Sequence, residues 1–333
     1  MAMHVTFRQL RLFLALADTG SVSGAARATH VTQPTASMQL RELTESIGMP
    51  LYEVISRRVH LTDVGRDLAE TVRHITNEWD GFAQRIDARQ GLTRGRLSIA
   101  VVSTAKYFVP RILGTFCQRY PDIDAALVVL NRDGVVERLQ QNLDDLYIMS
   151  QPPADMDLED RVFLANPLVL IAPEHHPLAG RTQVTAADLA AESFVMRERG
   201  SGTRMACERH FKTLGIKPRV RLELGSNEAL KQAVAGGLGL AVVSVHSLDE
   251  HLPEQGICQL SAEGFPIESQ WHIVRPRGKR HTPVGDAFER HLEEATAALR
   301  IVHIGLAPTP VEIYGSAAAP AVESAPRARS SAG

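Results

Sequence analysis

The residues with the clearest chemistry lie where strand patterns give way to helix patterns. Ser103 and Thr104 end one apolar run, and Lys106 follows them. Backbone N–H groups and hydroxyls converge on negative charge at such a turn, and the lysine adds a cation. Arg197, Ser201, Gly202, Thr203 and Arg204 make a second turn of the same kind, where Gly200 and Gly202 let the backbone come close to a ligand. Ser226 and Asn227 open a third helix, and Met149 and Gln151 stand where the chain is expected to cross between two lobes. Taken singly, each turn reads as an ordinary helix cap. Three of them at strand C-termini describe the ligand cleft of an open α/β sheet. The chemistry is that of binding. No nucleophile elbow is present, and GGLGLA (236–241) follows a helix and misses the dinucleotide fingerprint. His175-His176 has no third ligand at a suitable spacing, and adjacent residues rarely ligate one ion, so no metal and no cofactor are expected.

A second constellation lies in VTQPTASMQLREL (31–43). Ala36, Leu40, Leu43 and Ile47 step by one helical turn and face inward. Gln33, Ser37 and Arg41 fall on the opposite side, flanked by Thr35 and Met38. Thr32 can cap this helix, and Pro34 sits harmlessly in its first turn. Any surface helix has a polar face. A face of forked amide, hydroxyl and guanidinium groups, with Gln33 at the helix start and a methionine able to meet a thymine methyl, also suits base edges in a major groove. Ser23, on the helix before, belongs to the same expected surface.

The elements that must hold these residues follow from spacing. Phe7, Leu10, Leu14 and Ala17 mark a first helix over 5–18. Ser21 caps a second through Ala25, Ala26 and Ala28, and Gly48 and Pro50 stop the third. PLYEVISRRVHLTDVG (50–65) reads as two short strands with Arg57 and Arg58 at the tip, suited to a phosphate backbone or a narrow minor groove. Three helices and a hairpin make a winged helix-turn-helix over residues 1–66. Leu68, Val72, Ile75, Trp79, Phe82 and Ile86 step by alternating fours and threes, an a/d seam on a linker helix (67–90). Its partner is the same helix of a second chain, or else its own domain. GLTRGR (91–96) is a hinge by composition. From residue 97 strand and helix signals alternate to about 300, which implies an α/β fold with mainly parallel sheets and two lobes: lobe I over 97–165 and 267–300, lobe II over 166–266. Residues 305–333 are rich in Ala, Pro and Ser and are expected to be a disordered tail.

Bulk properties exclude little. The chain has 333 residues and a net charge of −2, so charge alone gives no hint of nucleic acid. Over residues 1–66, however, seven arginines face five carboxylates, and the first lysine of the chain is Lys106. Arginine suits phosphates and guanine edges; a GC-rich genome gives the same bias. Three distant cysteines give no disulfide framework. No leader pattern or membrane-length apolar run appears, so a cytoplasmic protein that does not bind membranes is expected.

The run SVSGAARATHVTQPTASMQLRELTESIGMPLYE resembles the N-terminal domain of LysR-type transcriptional regulators, through Ser21, Ala25-Ala26, Thr32-Gln33-Pro34, Ser37, Leu40, Leu43, Gly48, Leu51 and the LTDVG that ends the wing. The resemblance continues to about residue 300. It implies a winged helix-turn-helix with a long linker helix, then a two-lobed effector domain like the periplasmic binding proteins. It also implies a homodimer or homotetramer on double-stranded DNA, answering a small metabolite, with RNA polymerase a candidate partner. Family members often carry Arg where Gly24 and Val54 stand, a bulky apolar residue at Thr29 and Glu at Thr44. The two missing arginines imply weaker or more salt-sensitive DNA binding, and Thr29 a weaker core under the second helix. VVSTAKYFVPRIL, NPLVLIAPEHHPLAG, RERGSGTRMACERHF and GSNEALKQAVAGGLGLAVVS are similar to the regulators of carbon-dioxide-fixation (RuBisCO) operons. Effectors implied by that subfamily include NADPH, ribulose bisphosphate and phosphoenolpyruvate. The alternatives are a LysR-type regulator of nitrogen, sulfur or aromatic metabolism and, more remotely, a two-lobed binding protein or enzyme.

Overall fold

In the computed structural model of the chain, residues 4–56, 58–89, 94–248 and 252–297 are described. The first three helices each begin at a hydroxyl. Thr6 caps α1 (Phe7–Thr19) in a capping box with Gln9, Ser21 caps α2 (Val22–Ala28), and Thr32 caps α3 (Gln33–Ile47). Gly20 and Gly48 end α1 and α3 in the left-handed region, at φ 63° and 79°. Leu12, Phe13 and Leu16 pack against Ala25, Ala26, Ala36, Leu40, Leu43 and Leu51. The small alanines let the three helices approach closely. An antiparallel wing follows, β1 (Tyr52–Ile55) and β2 (Arg58–Leu61), with Val54 opposite Val59. The wing is tied back to the end of α1 by Val59 N–H donating to Gly20 O at 3.0 Å.

α4 (Asp63–Arg89) spans 27 residues, roughly 40 Å at the helical rise. Its two ends meet different surroundings. Ala69 and Val72 are fully buried and Leu68 half-buried where α4 runs beside α1, and Arg73 pairs with Asp18 of α1 at 2.6 Å. The expected six-residue seam is therefore corrected. Leu68 packs against the core of the three-helix unit, and Val72 is fully buried within the chain itself, which leaves Val72 no surface for a second chain. Ile75, Trp79, Phe82 and Ile86 remain exposed.

Of the expected hinge, residues 91–93 lie outside the described residues, and Gly95 and Arg96 already pair with Ile123 and Asp124 in a strand. Lobe I is built from β3 (Gly95–Val102), α5 (Val109–Arg119), β4 (Ile123–Leu130), α6 (Arg132–Gln140), β5 (Leu146–Met149) and β6 (Leu158–Ala165). The chain then forms lobe II from β7 (Leu168–Pro173), α7 (Ala186–Ala191), β8 (Ser193–Arg197), α8 (Gly202–Thr213), β9 (Arg219–Leu224), α9 (Asn227–Ala235), β10 (Ala241–Ser244) and β11 (Ile257–Leu260). It returns to lobe I as β12 (Gln270–Pro276) and α10 (Pro283–Ala297). The expected tail, 305–333, lies outside the described residues.

The sheets are mixed, which corrects the expectation of mainly parallel pairing. Lobe I has the order β4-β3-β5-β12-β6, with β3 parallel to β4 and β5, and β12 antiparallel to β5 and β6. The chain leaves this lobe through β6 and comes back through β12, so these two neighbours must run in opposite directions. In lobe II, β7 is antiparallel to β10 and β11, while β8 and β9 are parallel and reach β10 through a Phe194–Leu240 bridge. Each lobe has its own apolar interior; Trp271, Tyr147, Phe116 and Phe288 fill that of lobe I. At the two crossings, Asn166 N–H donates to Ser269 O at 2.8 Å and Leu168 bridges Ile267.

Candidate DNA-binding surface and effector cleft

On α3, Gln33, Pro34, Ser37, Met38 and Arg41 are exposed along one face. Thr32 and Thr35 use their hydroxyls on each other at 2.8 Å as part of the cap, and Thr35 is half-buried. Ser23 Oγ donates to Gln33 Oε1 at 3.2 Å, so α2 steadies the amide at the head of the face. Arg41 has no hydrogen-bond or ion-pair partner among the described residues. Arg58 opens β2 and is exposed, whereas Arg57 lies outside the described residues. The expected loss of a phosphate contact at position 24 is corrected. Gly24 is buried, and a Cβ there would come within 2.7 Å of Thr19, so the position faces α1 and not DNA.

The three strand-end turns of the effector domain meet between the lobes. Arg197, only 2% exposed, ends β8 and donates to Asn227 Oδ1 at 2.7 Å, to Ser103 Oγ at 3.0 Å and to Glu198 at 2.8 and 2.9 Å. It thus ties the turn after β3 in lobe I to the turns after β8 and β9 in lobe II. Thr104, Ser201, Thr203 and Asn227 are buried around it, and Lys106 is half-buried. Ser201 stands at the N-cap of α8 with its hydroxyl uncommitted to the cap.

On the other flank the lobes touch through glycine. A Cβ on Gly202 would lie 3.0 Å from Ser150 Oγ, and one on Gly200 (φ +83°) 2.5 Å from Asp133. Gln151 joins this flank, its carbonyl accepting from Arg132 Nε at 2.6 Å and its Oε1 from Arg209 at 3.3 Å. Met149 does not belong to the cleft. It is fully buried in β5, paired with His272 inside lobe I, and the chain crosses between lobes some fifteen residues later.

Sequence reasoning missed Tyr107, Glu228, Arg132 and Arg209. Lys106 Nζ and the Tyr107 hydroxyl both donate to Glu228, at 2.8 and 2.5 Å, a second bridge between the lobes. Burial alone would push the Glu228 carboxyl up, but donation from Lys106, Tyr107 and Ser226 outweighs it and holds the group down at about 2. Burial, reinforced by that carboxylate, pushes the Tyr107 phenol well above its usual range. The acidic first turn of α9 was a local signal for Glu228; the others carried none. His281, Asp286 and Glu289 come close enough to hold an ion, yet both Glu289 oxygens already accept from Arg161 and Arg275, so an ion there would displace two guanidinium groups.

Comparison with known proteins matches these parts to families. Residues 7–66 match the bacterial regulatory helix-turn-helix proteins of the lysR family, and residues 90–297 match the LysR substrate binding domain. The chain is 42% identical to the transcriptional activator CmpR of Synechocystis sp., over 90% of this chain and 99% of that one. It is equally 42% identical to a RuBisCO operon transcriptional regulator of Acidithiobacillus ferrooxidans, over 88% and 95%. A solved structure of the Synechocystis CcmR regulatory domain in complex with 2-PG is 46% identical, with a TM-score of 0.59, covering 60% of this chain and 97% of that one. The chain belongs to the LysR family of bacterial helix-turn-helix transcriptional regulators.

Proposed function

We propose that the chain regulates a carbon-dioxide-fixation operon by binding DNA as a homo-oligomer in answer to a phosphorylated metabolite. The observation that carries this reading is the 42% identity to a RuBisCO operon regulator across both the DNA-binding and the effector domain. Residues 1–66 hold the face of α3 to one half-site, with Gln33, Ser37, Met38 and Arg41 at base edges and Arg57 and Arg58 of the wing at the backbone. The exposed part of α4 pairs two chains, so an inverted repeat is read by a two-fold dimer. The turns around Arg197 close on the effector, with Ser103, Thr104, Lys106, Gln151, Ser201, Gly202, Thr203 and Asn227 in reach. An effector shifts DNA spacing only through a difference in affinity between two arrangements.

The relative solved with 2-PG favours 2-phosphoglycolate as the effector, ahead of NADPH, ribulose bisphosphate and phosphoenolpyruvate. A protein working on DNA in this way belongs in the cytoplasm, and no helix among the described residues is long and apolar enough to cross a membrane.

Fluorescence anisotropy tests the reading. The full chain is titrated onto DNA upstream of its own gene and of the divergent neighbour, with competitor DNA and fixed salt, adding the four metabolites in turn. Specific binding altered by one of them is the expected result. Specific binding indifferent to all four removes the carbon-fixation assignment, and an absence of specific binding removes the regulator reading.

A further inference from the structure

The carboxylate of Glu228 occupies a seat made for an anion. Glu228 is the second residue of α9, and three side chains donate to it: Lys106 Nζ at 2.8 Å, Tyr107 OH at 2.5 Å and Ser226 Oγ at 2.9 Å. Two of these donors stand on lobe I and the third on lobe II, at a helix start whose free N–H groups favour negative charge. Beside them Asn227 is 2% exposed, and its side-chain amide lies against the Tyr107 hydroxyl. The helix start also offers free backbone N–H groups beyond the side-chain donors that the carboxylate uses. The Glu228 side chain is 49% exposed, so it can turn out to water without burying its charge.

We propose that Glu228 is a built-in competitor for the effector's anionic group, which takes its place between Lys106 and the first turn of α9, and that this competition selects phosphate esters over plain carboxylates. The proposal rests on reading the inter-lobe cleft as the effector site. The physical reason is a balance of charge and donors. A ligand carboxylate only exchanges one monoanion for another, and it loses translational freedom that the tethered glutamate does not. A phosphate monoester carries about −1.5 to −2 charges and three strong acceptor oxygens. It attracts Lys106 more strongly and has an oxygen to spare for the free N–H groups at the start of α9. Rejection of the wrong ligand thus comes from a group that must be displaced and not only from contacts to the right one.

The test is isothermal titration of the full-length protein and its Glu228→Gln and Glu228→Ala variants with 2-phosphoglycolate, glycolate and inorganic phosphate. Both substitutions keep the donors and remove the competing charge. Tighter binding of 2-phosphoglycolate and of inorganic phosphate to both variants, by roughly tenfold, is the expected result. Glycolate binding should become measurable in the variants. Unchanged or weaker binding of both phosphates would overturn the proposal and make Glu228 a plain lobe bridge. Tighter inorganic phosphate without any 2-phosphoglycolate binding would keep the competitor and reject that metabolite. Absence of binding by every anion to every form would overturn the proposal, while the DNA titration would still judge the regulator reading on its own.

Discussion

In the proposed reading, Gln33 is the side chain that separates specific from general DNA affinity. It heads the exposed face of α3 and is steadied by Ser23 Oγ at 3.2 Å. A positioned amide forks onto a base edge; a phosphate contact would not tell bases apart. Gln33→Ala should therefore weaken operator binding by roughly 1–3 kcal/mol and leave random DNA almost untouched. Anisotropy on both DNAs at one salt concentration measures this, and equal losses would take Gln33 off the base-reading face. His246 is decisive in a different way. It is 3% exposed, packs against the Phe108 and Trp271 rings at 6.1 and 4.7 Å, and sits 3.1 Å from Ala165 O at the lobe crossing. A carbonyl can only accept, so Nε2 carries the proton and Nδ1 is left unpaired. Burial pulls the imidazole down to about 4 from 6.5. The unfolded chain binds more protons between those values, so this contribution is complete above 6.5 and is lost as pH falls through 4. Denaturant titrations across that window should show stability falling with pH, by about 2–3 kcal/mol for this group. His246→Gln, which keeps a donor for Ala165, should flatten the slope; an identical slope would place the titrating group elsewhere.

At the scale of elements, α4 does two jobs along one helix. Its first turns are covered by α1, while Ile75, Trp79, Phe82 and Ile86 are exposed, with the Trp79 ring 5.9 Å from both Phe7 and Phe82. A row of large apolar side chains at heptad spacing buries itself against an equivalent row. Trp79→Asp puts a charge in that row and should convert the oligomer to monomers at micromolar concentration, read by light scattering; an unchanged mass would move the interface off this face. The same helix is also fixed to lobe I. Asn77 Nδ2 donates to Asn142 O at 2.7 Å, Gln84 Nε2 to Arg96 O at 3.1 Å, and Asn142 Nδ2 stands 3.3 Å from His74 Nδ1. Gly95, at φ +144°, leaves room for Gln84, since a Cβ would lie 3.0 Å from it. The effector domain and α4 thus share a polar junction.

Across the whole molecule, the proposed reading links effector to DNA through the contact between the two lobes. The described arrangement is closed, held by Arg197 to Ser103 on one side and Lys106 to Glu228 on the other. Thr203 is 6% exposed in the first turn of α8, far along the chain from α3, and its hydroxyl is not needed by the DNA-binding unit. Thr203→Ala should keep operator affinity and lose at least half of the effector-induced change, measured in the same anisotropy titration. An unchanged effector dissociation constant would remove Thr203 from the cleft.

What the sequence determined by itself was local. The caps at Ser21 and Thr32 and the inward row Ala36, Leu40 and Leu43 follow from hydroxyl placement and helical period, which depend on residues within one or two turns. The turns at Ser103, Arg197 and Ser226 were legible for the same reason. β6 was not, because LEDRVFLA carries three charges on a mostly exposed edge strand and its alternation is weak. Only the tertiary structure decided the rest. Val72 is lost to the expected seam because the folded chain itself buries it completely. β12 runs against β5 because the chain must come back from lobe II. Glu228 becomes a lobe bridge only when α9 faces Lys106 and Tyr107, which stand 122 and 121 residues before it. Caps and periods are short-range interactions written in neighbouring residues; partners across a cleft exist only after two separately folded lobes have met.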